Sequence, residues 1–391
     1  MVRILVLSFY YAPDLSAGSF RTSALVKTIL KKNPGDVYID VITTLPNRYK
    51  TFSEAALEYV KSDELEIHRI KLPPHKSGMR DQSKAFIKYF KNASSLAAKR
   101  DYDLVYATSS RLMTAVLGAW IASRKKTKLY LDIRDIFVDT INNILPRKFT
   151  FILKPFFSFI ERWTVSKADK VNLVSEGFRE YFKSRYPGQQ LSFFTNGIDN
   201  EFLNIEDEQS KVVNIDSPIK VLYAGNMGEG QGLHIIIPKL AQKMHDRVQF
   251  LLIGDGGRKS ELQFALAKAG CKNVELRQPV NREGLINAYL DADVLFLHLN
   301  DYDAFRKVLP SKIFEYAALA KPIWAGVSGY AAEFIYNEID NAVVFPPCDP
   351  DEAVNVFENL KIIDKQRPAF IEKFSRKNIM NLMADDVLSI I

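Results

Sequence analysis

Short apolar runs alternate with stretches of helical periodicity along the whole chain. In the first half the runs fall at Ile4–Phe9, Tyr38–Thr43, Glu66–Ile70, Leu104–Ala107, Lys128–Asp132, Lys170–Val174 and Leu191–Phe194. Helical spacing fills Ser19–Lys31, 82–99, 112–123, 155–167 and Glu176–Phe182. The pattern then restarts. Strand-like runs recur at Ile219–Tyr223, Val248–Ile253, Val274–Leu276, Val294–His298, Pro322–Ala325 and Ala342–Phe345, with helical stretches between them. Such alternation predicts parallel sheets covered by helices. Two successive runs predict an α/β chain of two doubly wound, Rossmann-like domains, with the polar segment 204–210 as hinge. Ligands of open parallel sheets bind beyond the carboxyl ends of the strands. Two facing sheets therefore predict one deep cleft.

Length agrees, since 391 residues exceed one ordinary domain. Two cysteines, Cys271 and Cys348, argue against a disulfide framework and fit a reducing cytoplasm. The five histidines lack metal-ligand spacing, so no metal is expected. The apolar N-terminus runs into Tyr10-Tyr11-Ala12-Pro13-Asp14 without a small-residue cleavage site, and reads as a first buried strand. No apolar stretch is long enough to span a bilayer. Charge changes the picture more. Residues 1–200 carry 32 Lys and Arg against 19 Asp and Glu, net +13, whereas 201–391 carry 21 against 27, net −6. A basic first half suggests an anionic partner there.

The most informative segment is Leu309-Pro310-Ser311-Lys312-Ile313-Phe314-Glu315-Tyr316, which follows a buried strand. Pro310 and Ser311 are helix-start signals, and first-turn amides attract phosphate. Lys312 supplies positive charge, and Glu315, one turn inside, can accept hydrogen bonds from ribose hydroxyls. The order strand, loop, helix tip and inward glutamate suggests a nucleotide-sugar site. An ordinary helix start with a solvated glutamate is the alternative. Four glycines at Gly225, Gly228, Gly230 and Gly232, around Asn226 and Met227, let backbone amides approach an anion, unless the loop is only a connector. Gly254-Asp255-Gly256-Gly257 permits close passage under a nucleotide, or forms a tight turn. Arg277-Gln278-Pro279-Val280 is placed to frame a base. Asp291-Ala292-Asp293 and Asp101-Tyr102-Asp103 precede strands and read as helix termination rather than metal sites.

In the first half, Gly18 at a helix tip and Arg21 in its first turn are candidates for a phosphate or sugar across the cleft. Asp135 in Asp132-Ile133-Arg134-Asp135 is the candidate polar group beside a reacting hydroxyl; a structural Asp–Arg pair is the competing reading. Residues 146–170 mix Arg147, Lys148, Lys154, Arg162, Lys167 and Lys170 with phenylalanines and Trp163. Phe156, Phe159, Ile160 and Trp163 share one helical face, which suits a core or a lipid interface.

Taken in order, these segments resemble glycosyltransferase family 4, of GT-B fold. Tyr11-Ala12-Pro13 through Gly18 and Arg21, Ala168-Asp169-Lys170-Val171, Val174-Ser175-Glu176-Gly177 and Asn196-Gly197-Ile198-Asp199 match its first domain. Gly225-Asn226-Met227-Gly228, Gly254-Asp255-Gly256, Ala292-Asp293-Val294, and Pro310-Ser311-Lys312 through Glu315-Tyr316 and Lys321-Pro322-Ile323 match its donor domain. The resemblance implies metal-free, cofactor-free transfer of a sugar, with retention, from a nucleoside diphosphate sugar to a lipid-linked or saccharide acceptor. It implies an acceptor domain over 1–203, completed by a final helix at about 367–391, and a donor domain over 204–366. Lys312, Asp135 and Arg21 are then the catalytic candidates, with Gly18 and Asp135 on the acceptor side. Gly225, Asn226, Met227, Gly228, Gly254, Gln278, Val280, Ser311 and Glu315 are the donor-binding candidates. Two departures stand out: Lys307 replaces the first of two glutamates, and Glu229 and Gln231 occupy the region of a diphosphate-binding arginine and lysine. The diphosphate charge accordingly falls to Lys312 and helix-tip amides, with Arg306 or Lys307 as helpers. These departures resemble the branch that builds bacterial surface polysaccharides. The expected location is the cytoplasm, with peripheral contact to anionic membrane through the first domain. Rival readings are an epimerase of the same architecture and a non-catalytic binding protein. Nucleic-acid binding lacks a motif.

Overall fold

The computed structural model describes residues 1–14, 16–46, 56–73, 79–109, 112–136, 138–139, 147–203 and 217–391, with only the backbone described at 79, 80, 82 and 147–152. The chain divides into two compact units, Met1–Asn196 with Arg376–Ile391, and Gly197–Ser375. The N-terminal unit holds an eight-stranded sheet ordered Tyr59–Lys61, Leu65–Ile70, Val37–Thr44, Val2–Leu7, Leu104–Thr108, Lys128–Ile133, Lys170–Leu173, Leu191–Ser192. Every pairing is parallel except that of the edge strand Tyr59–Lys61. All eight residues of Val37–Thr44 are buried, as expected of a sheet covered on both faces. The C-terminal unit holds six parallel strands ordered Val274–Arg277, Val248–Ile253, Ile219–Ala224, Val294–His298, Ile323–Gly326, Ala342–Phe345.

Three expectations need correction. The predicted hinge 204–210 lies outside the described residues, and the boundary falls earlier, because Gly197–Leu203 packs into the C-terminal unit. There Phe202 is buried, Asp199 pairs with Arg282 at 2.8 Å, and Ile198 N–H donates to the Phe374 carbonyl at 2.8 Å. The single final helix is two, Pro368–Phe374 and Arg376–Leu388. Ser375 separates them with an extended backbone (ψ 133°) that bridges to Ile198. The helix expected over 155–167 begins at Arg147 and runs through Pro155. The Asp-x-Asp segments, expected as helix termination, also tie down the starts of neighbouring strands: Asp293 accepts from Lys220 N–H and Asp103 from Arg3 N–H, each at 2.8 Å.

One buried ion pair ties the N-terminal unit together. Helix Ala17–Lys32 starts at Ser16, whose hydroxyl accepts from Ser19 N–H. Its Arg21 is fully buried. The guanidinium grips Asp132 at 2.9 and 3.1 Å and donates to the carbonyls of Thr195 (2.6 Å) and Phe194 (2.7 Å). Asp132 also accepts from Tyr106 and Asn172. Burial by itself would raise the Asp132 pKa; the Arg21 charge and hydrogen bonds overcome this and hold it below the ordinary carboxylate range. Arg21, a candidate for phosphate or sugar, is therefore corrected to a keystone of this unit; the structural Asp–Arg pair is Asp132 with Arg21. The terminal helix Arg376–Leu388 docks on the same sheet, where Asp386 accepts from Tyr130 (2.8 Å), Ser192 (2.7 Å) and Lys170.

Asp132→Ala leaves the Arg21 charge buried without its counterion, and should destabilise the chain by about 3–5 kcal/mol in urea unfolding. A loss below about 1 kcal/mol would show that the pair is dispensable.

Candidate functional site

In the C-terminal unit the strand order changes direction between Ile219–Ala224 and Val294–His298. Sheets of this order bind ligands at that switch point, beyond the strand carboxyl ends. The chain leaves Ile219–Ala224 at Gly225 (φ +149°) and leaves Val248–Ile253 at Gly254 (φ +150°). A Cβ on Gly254 would collide with the Gly225 carbonyl, and one on Gly256 would lie 2.5 Å from the Met227 carbonyl carbon. The two loops thus meet backbone to backbone, which glycine alone permits.

This packing uses the loop amides. Gly225 N–H donates to the Ile253 carbonyl at 2.8 Å, Met227 N–H to the Asp255 carbonyl at 2.9 Å, and Gly228 N–H to Gln231 Oε1 at 3.2 Å. The expected approach of these three amides to an anion is corrected accordingly: they hold the loop. Met227, expected to bind donor, is 1% exposed and belongs to the hydrophobic core. Its side chain anchors the loop instead.

The charge at the Gly225 turn comes from Lys312. Its ammonium lies so near Gly225 that a Cβ there would collide with it, and it stands 5.5 Å over the Tyr223 ring. The Tyr223 hydroxyl donates to the Asn226 carbonyl at 2.6 Å, fixing that ring beneath the turn. Ser311 forms no side-chain cap, and the helix Lys312–Ala318 has seven residues. The anion-attracting element at this end is thus the ammonium more than the helix tip.

One turn on, Glu315 lies in a cluster that local sequence did not reveal. Tyr289 donates to its Oε2 at 3.1 Å, and Arg282 Nη1 stands 3.8 Å from its Oε1. Arg282 also holds Asp199 at 2.8 Å and lies 4.3 Å over the Phe202 ring. The Glu315 side chain as a whole is 17% exposed. Burial raises its pKa; Arg282 and Lys312 oppose the rise, Asp199 adds to it, and the net direction is upward.

Glu229 and Gln231 have defined tasks. Gln231 Oε1 accepts from Asn226 at 2.7 Å as well as from Gly228, so it sets the loop's shape. The Glu229 carboxylate accepts from Arg258 and Tyr302, while Asn300 donates to its carbonyl at 2.9 Å. His298 ends the central strand. Its Nδ1–H donates to the Gln231 carbonyl at 2.7 Å, and its Nε2 accepts from Cys348 N–H at 3.0 Å. Burial pushes its pKa down to about 4, so it is a neutral strut at physiological pH. Gln278 is exposed, its Oε1 accepting from Lys259 at 3.3 Å; Val280 is half-buried. Arg306, expected as a helper, lies 3.6 Å from Asp303.

The remaining candidates belong to the N-terminal unit. Gly18 is buried in the first turn of its helix, and Asp135 is exposed just beyond strand Lys128–Ile133. Thus Lys312, Gly225, Asn226, Gly254, Ser311 and Glu315 gather at one end of one sheet, while Gly18 and Asp135 sit in the other unit. Arg282, Asp199, Tyr289, Arg258 and His298 are the residues that sequence reasoning missed. Only Asp199 carried a signal, as the last residue of Asn196-Gly197-Ile198-Asp199.

Known proteins agree with this architecture. The family described as glycosyl transferases group 1 matches residues 204–377, and the glycosyl transferase 4-like domain matches residues 38–197. The putative colanic acid biosynthesis glycosyl transferase WcaI of Escherichia coli K12 is 25% identical over 160 residues, a match spanning 39% of either chain. Among solved structures, sucrose-phosphate synthase of Thermosynechococcus elongatus superposes with a TM-score of 0.74 at 13% identity, covering 100% of this chain and 99% of its own. Anabaena HepE in complex with UDP superposes at 0.62 with 16% identity, covering 100% of both chains. At such identities these neighbours establish the fold, which is GT-B.

Two outcomes follow from the geometry. Gly254→Ala must move a backbone carbonyl and adopt a positive φ, and should lower stability by more than about 1 kcal/mol in thermal unfolding. The raised Glu315 pKa means that stability falls as pH climbs from the ordinary carboxyl pKa to the raised one, and stays reduced above it. Glu315→Gln should therefore raise Tm at about pH 8 and leave it nearly unchanged at about pH 4. An equal shift at both pH values would refute the assigned strain.

Proposed function

Because the chain belongs to glycosyltransferase family 4, we propose that it transfers a sugar from a nucleoside diphosphate sugar, with retention, to a lipid-linked or saccharide acceptor in bacterial surface-polysaccharide synthesis. The observation carrying this reading is the Lys312 ammonium at the Gly225 turn, with Glu315 one turn behind it. The name of the WcaI relative and the UDP bound by the HepE neighbour support the substrate class.

In the proposed reaction the bond from the anomeric carbon to the phosphate oxygen breaks, and its electron pair leaves with the diphosphate. Lys312, fixed over Tyr223, stabilises that developing charge. The acceptor hydroxyl attacks from the face the diphosphate leaves and passes its proton to a phosphate oxygen. Glu315 accepts hydrogen bonds from the ribose hydroxyls. Its orientation comes from Tyr289 and Arg282. The acceptor is assigned to the unit that carries Gly18 and Asp135. Nothing in the scheme uses the loop amides already bonded within the protein.

Lys312→Ala should lower turnover at least roughly tenfold, as removal of a charge-stabilising group does, with the fold intact by circular dichroism. Undiminished turnover removes Lys312 from the mechanism. Glu315→Ala should chiefly weaken nucleoside diphosphate binding in calorimetry, and a normal affinity refutes the ribose role. Incubating donor without acceptor separates the rival chemistry: an epimerase alters the sugar, whereas a transferase leaves it or hydrolyses it slowly.

A further inference from the structure

Arg21 and Asp132 saturate one another, and a second arginine stands near them without such a partner. The sheet of the N-terminal unit changes direction between Val2–Leu7 and Leu104–Thr108. Its ligand end therefore lies beyond the carboxyl ends of those strands and their neighbours. Ser109 is the first residue past Leu104–Thr108, and Arg134 is the first past Lys128–Ile133. Ser109 N–H donates to the Asp132 carbonyl at 2.9 Å, and Ser109 Oγ accepts from Arg134 N–H at 2.9 Å. These two bonds lock the strand ends together and fix Arg134 at this end of the sheet.

The guanidinium of Arg134 is left open. The only hydrogen bond it makes among the described residues is a long one, from Nη1 to Asn196 Oδ1 at 3.4 Å. A guanidinium carries five donors, so most of them remain without an acceptor. Asp132 does not supply one: two bonds from Arg21 and one each from Tyr106 and Asn172 fill its oxygens. The Arg134 side chain is half-buried. Burial holds its pKa below the ordinary arginine value and the Arg21 charge adds to the fall, while Asp132, Asp135 and Tyr106 oppose it. The group stays charged. A planar fork of open donors matches an oxyanion, which accepts two of them at once.

We propose that Arg134 binds an oxyanion carried by the acceptor, a phosphate ester or the carboxylate of an acidic sugar. The inference rests on the proposed reading of the chain as a transferase whose acceptor meets the N-terminal unit. It adds that the acceptor is negatively charged close to the sugar that receives the new residue. The phosphate role expected of Arg21 passes in this way to Arg134, one residue past the end of the strand that carries Asp132.

Saturation-transfer NMR of the full chain tests it with glucose 1-phosphate, glucuronate and methyl glucoside. At least one of the two anions should give a signal at a concentration where methyl glucoside gives none, and the stronger of the two identifies the source of the charge. Arg134→Met should weaken that binding by at least about tenfold, as loss of a charged hydrogen-bond donor does, and Arg134→Lys should restore part of it. Both effects should persist in a Lys312→Ala background, which disables the proposed donor side. Arg134→Met should keep Tm, whereas Arg21→Met should lower it. A signal that vanishes with Lys312→Ala alone assigns the anion to the donor and overturns the proposal while supporting the donor reading. Failure of the parent chain to bind UDP or GDP in calorimetry strikes the donor reading instead. Silence of both anions, equal binding of methyl glucoside, undiminished binding in Arg134→Met, or a Tm loss in that variant matching Arg21→Met each overturn the proposal.

Discussion

The Gly225 carbonyl lies where a side chain on Gly254 would have to be, and the donor-side arrangement follows from that contact. Because two loops after adjacent strands touch through their backbones, Met227 drops into the core, and the amides of Gly225, Met227 and Gly228 find partners inside the protein. Those three amides are committed within the protein. The positive charge packed at this turn is that of Lys312. The replacement of an expected arginine and lysine by Glu229 and Gln231 makes sense in this setting, since both side chains tie the loop to itself and its neighbours.

Each unit is also organised by buried charge, with opposite consequences. Arg21 and Asp132 are both fully buried, and their remaining hydrogen-bonding capacity goes to carbonyls, a tyrosine and an asparagine. A pair so well matched holds helix and sheet in one arrangement and leaves nothing for a ligand. Glu315 is the contrary case. Its partners, Arg282 and Tyr289, are longer or weaker contacts, and Asp199 competes for Arg282. Such a carboxylate carries the pKa raised by burial that Arg282 and Lys312 only partly offset.

The uneven charge of the chain likewise has a location. Its excess of cations lies in the N-terminal half, and much of it is concentrated on the neighbouring helices Met79–Ala98, Leu112–Lys125 and Arg147–Ser166, whose only well-buried acid, Glu161, is turned inward onto two tyrosines. Phe156 and Phe159 are exposed on one of these helices, a feature that charge counting cannot contain.

Sequence by itself determined the class of fold, the two successive sheets, the glycine loops and the Lys312–Glu315 segment. These are written in local periodicity and in residues adjacent along the chain, which is where hydrophobic alternation, turn chemistry and helix signals act. Tertiary structure decided the rest. Arg21 meets Asp132 across 111 positions and Arg282 meets Asp199 across 83, and nothing near either residue announces its partner. The same holds for the unit boundary, where Gly197–Leu203 joins the C-terminal unit through contacts such as Ile198 N–H to the Phe374 carbonyl and Asp199 to Arg282. An arginine in the first turn of a helix reads identically whether it faces a phosphate or a buried carboxylate, because burial and charge pairing are properties of the packed chain and not of its local pattern.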